Sequence, residues 1–137
     1  MDTSKKTILH VDDELLWRQF VRELLGRRHE IISCRDLMMA LVTVQRGAVD
    51  LALVDHLIPG SGPFTHGLDF CLHLRKTFPN LPVIIYTGAW RGVSGVDRKE
   101  LQNKLDVTVV FKDARDHVLD DLQGKIEAEL ACSVAHA

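Results

Sequence analysis

Five residues are set where they can do chemistry. Asp12 and Asp13 close an apolar run, Asp55 closes a second, Thr87 a third and Lys112 a fourth. Taken alone, each has a commoner role. An acid before a helix usually caps it or offsets its dipole. Asp55 can start a turn ahead of Pro59-Gly60. Lys112 can be a solvated charge closing a strand. Their joint placement changes the balance. If the runs are parallel strands, three carboxylates, a hydroxyl and an ammonium converge on one edge. Clustered carboxylates repel one another unless a cation neutralises them, and an all-oxygen set suits Mg²⁺, which keeps several waters and shares ligands with phosphate. A nearby lysine and hydroxyl can contact the other phosphoryl oxygens. Such parts fit phosphoryl transfer, which depends mainly on positioning and charge neutralisation.

The elements that must position these groups follow from the hydropathy pattern. Compact apolar runs at residues 7–11, 30–33, 50–55, 83–86 and 107–111 read as strands. LALV and VIIY are apolar at both parities, as strands buried on two faces require. Helical patterns alternate with them at residues 14–28, 37–46, 67–77, 96–104 and 115–131. Leu16, Phe20 and Leu24 are spaced by four, as are Val118, Leu122, Ile126 and Leu130; Leu68, Leu72 and Arg75 fall in register. These stripes are expected in the core. Asp36 is placed to cap the second helix, and Gly47 to end it. Strands alternating with helices predict a parallel sheet covered on both faces by right-handed crossovers. Function in such sheets lies beyond the carboxyl ends of the strands.

Composition bounds the rest. The 137 residues are 46% hydrophobic and 26% charged, enough for one domain with a full core. A net charge of -2 suggests no direct nucleic-acid binding and no attraction to anionic membranes. No apolar run approaches the roughly 20 residues that span a bilayer, and the charged start does not read as a signal peptide. Membrane insertion is therefore not expected. Cys34, Cys71 and Cys132 are odd in number and widely spaced, so reduced thiols and a cytoplasmic setting are expected. None of the seven histidines shows an HExxH pattern. His10 reads as a hydrogen-bonded buried residue and His56 as solvent-facing.

ILHVDDE, LALVDHLIPG, IIYTGA and VVFKD, in this order and at these spacings, resemble the receiver domain of bacterial two-component response regulators. The resemblance runs from about residue 6 to about residue 131, within a single domain spanning 1–137. It implies a flavodoxin-like, doubly wound, five-stranded parallel sheet of order 2-1-3-4-5 with five helices. It also implies a signalling switch rather than a metabolic enzyme. Asp55 would be nucleophile and metal ligand, taking the phosphoryl group as an aspartyl phosphate. Asp13 would bind Mg²⁺, or Mn²⁺ in its place, directly, and Asp12 largely through water. The backbone carbonyl of Leu57 would be a further ligand. Thr87 and Lys112 would bind the phosphoryl oxygens. The donor would be a sensor histidine kinase or a histidine phosphotransfer protein. With fewer than ten residues after the last helix, output would pass to a separate effector protein, with the surface around residues 96–104 and 107–115 as its contact.

The chain departs from the family pattern at four places. SGPFTH lengthens the loop between Pro59-Gly60 and Gly67-Leu68. Asp113 follows Lys112 where the family usually has a cis-linked proline, so a trans bond or a rearranged turn is expected, since a cis bond without proline costs roughly 3–4 kcal/mol. Val109 replaces the usual aromatic, and Leu105-Asp106 replaces Gly-Ala. These departures motivate the alternative of a degenerate receiver acting as a phosphorylation-independent interaction module; the complete acidic set argues against it. A dehalogenase-type phosphatase would want an acid where Leu57 stands. A nucleotide-binding protein would want a glycine-rich loop where VDDE stands.

Overall fold

The computed structural model describes residues 5–56, 58–60, 62–87, 108–111 and 117–135. Strands β1 (Thr7–Val11), β2 (Glu30–Cys34), β3 (Leu51–Val54), β4 (Val83–Thr87) and β5 (Thr108–Phe111) form one parallel sheet. Their spatial order is β2-β1-β3-β4-β5. The described helices are α1 (Leu15–Leu25), α2 (Leu37–Gln45), α3 (Gly67–Thr77) and α4 (His117–Ala135). The helix expected at residues 96–104 and the Lys112–Asp113 bond lie outside the described residues.

Strand alternation divides the core in two. Leu9, Val11, Ala52, Val54, Val83 and Ile85 face one side and meet Leu37, Ala40 and Val44 of α2 with Phe70, Cys71 and Leu74 of α3. Ile8, Leu51, Leu53, Ile84, Tyr86 and Val110 face the other and meet Val21 and Leu25 of α1 with Leu122, Ile126 and Leu130 of α4. Each such aliphatic side chain contributes about 1.5–3 kcal/mol when fully buried. The sheet is thus anchored on both faces, and its carboxyl edge is a rigid place on which to mount polar groups.

Helix registers differ from the sequence expectation. In α1, Leu16 is 77% exposed and the buried positions are Val21 and Leu25, with Trp17, Phe20 and Leu24 packed beside them. In α3, Leu72 is exposed while Phe70, Cys71 and Leu74 are buried. Both helices offered two overlapping apolar stripes, and the direction from which each chain leaves its strand selected between them. The expected caps are present: the Asp36 side chain accepts from the Met39 amide, and Gly47 has φ +82° after α2. A side-chain bond from His29 Nε2 to Glu127 Oε1 at 2.7 Å ties the turn before β2 to α4.

Candidate functional site

The carboxyl edge is assembled from backbone bonds that continue the strand ladders. The Asp12 amide donates to the Cys34 carbonyl and the Asp55 amide to the Val11 carbonyl, each at 3.0 Å. Two neighbouring strands therefore deliver an acid each to the same level of the sheet. One carboxylate oxygen from each of Asp12, Asp13 and Asp55 lies within 4.8 Å of the other two. Asp12 and Asp55 are buried, and Asp13 is exposed. The chain thus brings together the three acids singled out in the sequence. Thr87 ends β4, two strands from β1 on the same edge. Leu57 and Lys112 lie outside the described residues.

Asp12 is held tightly. Its Oδ1 accepts the amide of Glu14, the residue just before α1, at 2.9 Å. Its carbonyl accepts from Arg18 Nη1 at 2.8 Å. The buried His10 sits below, with Nε2 3.8 Å from Asp12 Oδ2. On the same face of the sheet as His10, Tyr86 is fully buried, its ring 5.6 Å from that of Trp17 in a T-shaped contact. Burial and the nearby Asp12 charge both raise the pKa of the Tyr86 phenol, so it stays neutral. The Asp12 side thus meets α1 through the Arg18 guanidinium and the Trp17–Tyr86 pair.

A glycine that sequence reading passed over shapes the Asp55 side. A Cβ on Gly67 would run into the Asp55 carbonyl oxygen, with His56 Cα only 2.8 Å away. Its amide donates to the His56 carbonyl at 3.1 Å. The first residue of α3 thus rests against the chain just after the phosphoacceptor candidate. Its only sequence signal was a glycine where a helix begins.

His56, expected to face solvent, is instead 6% exposed. Its ring lies 4.9 Å from that of His66, because α3 folds back over the segment following β3. Desolvation, then the neighbouring His66, lowers the pKa of His56, outweighing the opposite pull of Asp55 and Asp69. The unfolded chain therefore binds this proton more readily than the fold does. Stability contributed by neutral His56 is present above the ordinary imidazole range and lost as pH falls through that range. Urea unfolding of His56→Gln should accordingly fall off less steeply than wild type between about pH 7 and pH 5, the range in which histidine titrates.

Three acidic oxygens this close fit a small divalent cation. Mg²⁺ holds oxygens at about 2.0–2.1 Å, so ligands on opposite sides sit about 4 Å apart. Two of the three groups are buried carboxylates, whose mutual repulsion such an ion would relieve. Among the described residues, no helix is long and apolar enough to cross a membrane.

Comparison with known proteins agrees with this geometry. The family model of the response regulator receiver domain matches residues 8–119. A CheY-like receiver domain protein from Methanospirillum hungatei superposes with a TM-score of 0.81 at 20% identity, covering 98% of this chain and 100% of its own. The signal receiver domain of an HD domain-containing protein from Pseudomonas fluorescens gives 0.80 at 20% identity, covering 99% and 94%. The response regulator TrrA from Thermotoga maritima, solved in complex with Mg²⁺-BeF, gives 0.73 at 26% identity, covering 90% and 98%.

Proposed function

The chain belongs to the response regulator receiver domain family, and on that premise we propose that it is a phosphoacceptor switch of a two-component phosphorelay. The observation that carries this reading is the convergence of Asp12, Asp13 and Asp55 at the carboxyl edge of the sheet. Asp55 attacks the phosphorus of a phosphohistidine on a kinase or phosphotransfer protein. A P–O bond forms, the P–N bond breaks, and the imidazole leaves with the bonding electron pair. Mg²⁺, when bound, would supply charge neutralisation between the carboxylates and the incoming phosphoryl group. Asp12, Asp13 and Asp55 would hold that ion, with the Leu57 carbonyl as a further ligand by family resemblance. Thr87 and Lys112 take the remaining phosphoryl oxygens. The Mg²⁺-BeF complex of TrrA supports the assignment by likeness. The product is a state read by an effector protein, so the chain acts as a signal rather than a turnover catalyst.

The reading is tested by incubating the protein with acetyl phosphate and Mg²⁺ and measuring intact mass. One added phosphoryl group is expected, and none when EDTA replaces the metal. Labelling that persists in EDTA, or that resides on a histidine, would overturn it. Asp13→Ala should weaken Mg²⁺ binding about tenfold or more, in line with losses at metal sites generally. Tryptophan fluorescence follows this, since Trp17 packs on Tyr86 at the site's edge. Saturating Mg²⁺ at 100 times its Kd should add about 2.7 kcal/mol to wild-type stability, and Asp13→Ala should need more metal for the same gain.

The phosphorylated state is expected to be long-lived. By family resemblance, the residues two after the nucleophile and two after the threonine flank the path of attacking water. These are Leu57 and Ala89, which cannot orient water by a hydrogen bond. Positioning is a large part of phosphoryl transfer. Leu57→Asn should speed loss of the label by roughly tenfold. Wild-type decay already fast, and unchanged by this substitution, would remove the account.

A further inference from the structure

Arg18 holds a position that α1 alone would not favour. It is the fourth residue of the helix, and helical side chains lean toward the amino end. Its guanidinium reaches back past the helix start and donates from Nη1 to the Asp12 carbonyl at 2.8 Å. Positive charge near a helix amino terminus opposes the macrodipole, so something beyond the helix must favour it there. The acids of the cluster supply attraction, yet the bond itself is made to a backbone carbonyl.

That carbonyl governs Asp13. Asp12 and Asp13 share a planar peptide, and its oxygen is the Asp12 carbonyl. Fixing the oxygen fixes the rotation of the plane, and with it the direction in which Asp13 leaves the turn. Asp12 has ties of its own. Its amide donates to the Cys34 carbonyl at 3.0 Å, and its Oδ1 accepts the Glu14 amide at 2.9 Å, closing an Asx turn around Asp13. Asp13 is exposed, and among the described residues no hydrogen-bond donor meets its carboxylate. Its place beside Asp12 and Asp55 is therefore set by the backbone that carries it.

We propose that Arg18 is a positioning residue of the cation site, clamping the Asp12–Asp13 peptide so that the Asp13 carboxylate stays with those of Asp12 and Asp55. The inference rests on the phosphoacceptor reading and deepens it. Groups that orient metal ligands without touching the ion commonly change affinity by about ten- to a hundredfold. A simpler role has the opposite sign. If Arg18 acted only through its charge, removing it would take a cation away from the site and tighten Mg²⁺, most of all at low salt. Misdirecting Asp13 loosens Mg²⁺ at any salt.

The test compares wild type with Arg18→Met, which keeps an apolar stem without donor or charge, and Arg18→Lys, which keeps a donor and the charge. Mg²⁺ affinity is read from the metal-dependent rise in the urea midpoint. It is measured at about 0.1 M and about 1 M ionic strength, where the screening length is about 10 Å and about 3 Å. Arg18→Met should bind Mg²⁺ about tenfold more weakly at the higher salt, and Arg18→Lys should recover most of that loss. In an Asp13→Ala background Arg18→Met should change affinity by less than about twofold, because the carboxylate it positions is gone. In labelling by acetyl phosphate, the Mg²⁺ needed for half-maximal rate should rise more than the rate at saturating Mg²⁺ falls. If Arg18→Met unfolds without metal, Arg18→Gln, neutral and shorter, replaces it with the same expectation. Unchanged or tighter Mg²⁺ binding at high salt, or an equal loss with and without Asp13, would overturn the proposal while leaving wild-type labelling intact. A wild type that takes no Mg²⁺-dependent label would overturn the phosphoacceptor reading and this inference together.

Discussion

Asp55→Asn is expected to abolish phosphoryl labelling by acetyl phosphate and to make the metal-free protein more stable. The first effect is chemical: a carboxamide cannot form the acyl phosphate. The second is electrostatic. One oxygen from each of three acidic side chains lies within 4.8 Å of the others, and Asp55 is 5% exposed, so its charge is poorly screened. Unit charges at such distances repel by a few kcal/mol at an effective dielectric constant near 20. Relaxation and the nearby His10 and Arg18 absorb part of that, leaving an expected gain of about 1 kcal/mol. Urea unfolding in EDTA reads the gain, and intact mass reads the labelling. Mg²⁺ should raise the stability of wild type more than that of the variant. Residual labelling at the same peptide, or a variant less stable than wild type without metal, would show that the acids are not one repelling cluster.

Much of this was legible in the sequence because strand ends are marked twice, once by apolar runs and once by the acids that stop them. Asp12, Asp13 and Asp55 were placed on one edge by the alternating pattern alone. The helix registers were less legible. Leu15, Leu16, Trp17 and Phe20 crowd the start of α1, so two stripes are nearly equivalent until the sheet selects Trp17, Val21 and Leu25. The burial of His56 was hidden for a related reason. It depends on where α3 begins after a lengthened loop, which local propensity does not encode. Arg18 was also missed: its bond to the Asp12 carbonyl spans six residues along α1 and shows only when the strand-to-helix turn is built.

Gly67→Ala should be the most damaging single methyl in the described part of the chain. The reason is space rather than backbone conformation, since Gly67 is not among the residues with positive φ. A Cβ there would collide with the Asp55 carbonyl oxygen and lie 2.8 Å from both the Asp55 carbonyl carbon and His56 Cα. All three are backbone atoms, so no side-chain rotation relieves the clash. Either α3 must slide along the sheet, breaking the bond from the Gly67 amide to the His56 carbonyl, or the segment at Asp55 must move. Overpacking of this kind typically costs 1–3 kcal/mol, and the loss of a buried hydrogen bond adds to it. Gly124 supplies the control. It lies in α4, where an added Cβ would meet nothing within 4 Å, so Gly124→Ala should instead stabilise by about 0.5–1 kcal/mol through helix propensity. Opposite signs for the same chemical change separate crowding from propensity. The site should register the difference as well. Gly67→Ala displaces the backbone that carries Asp55, so its labelling by acetyl phosphate should slow even at temperatures where the protein remains folded. Gly124→Ala should label at the wild-type rate. A Gly67→Ala protein that melts with wild type and labels at its rate would mean that α3 does not brace the phosphoacceptor strand.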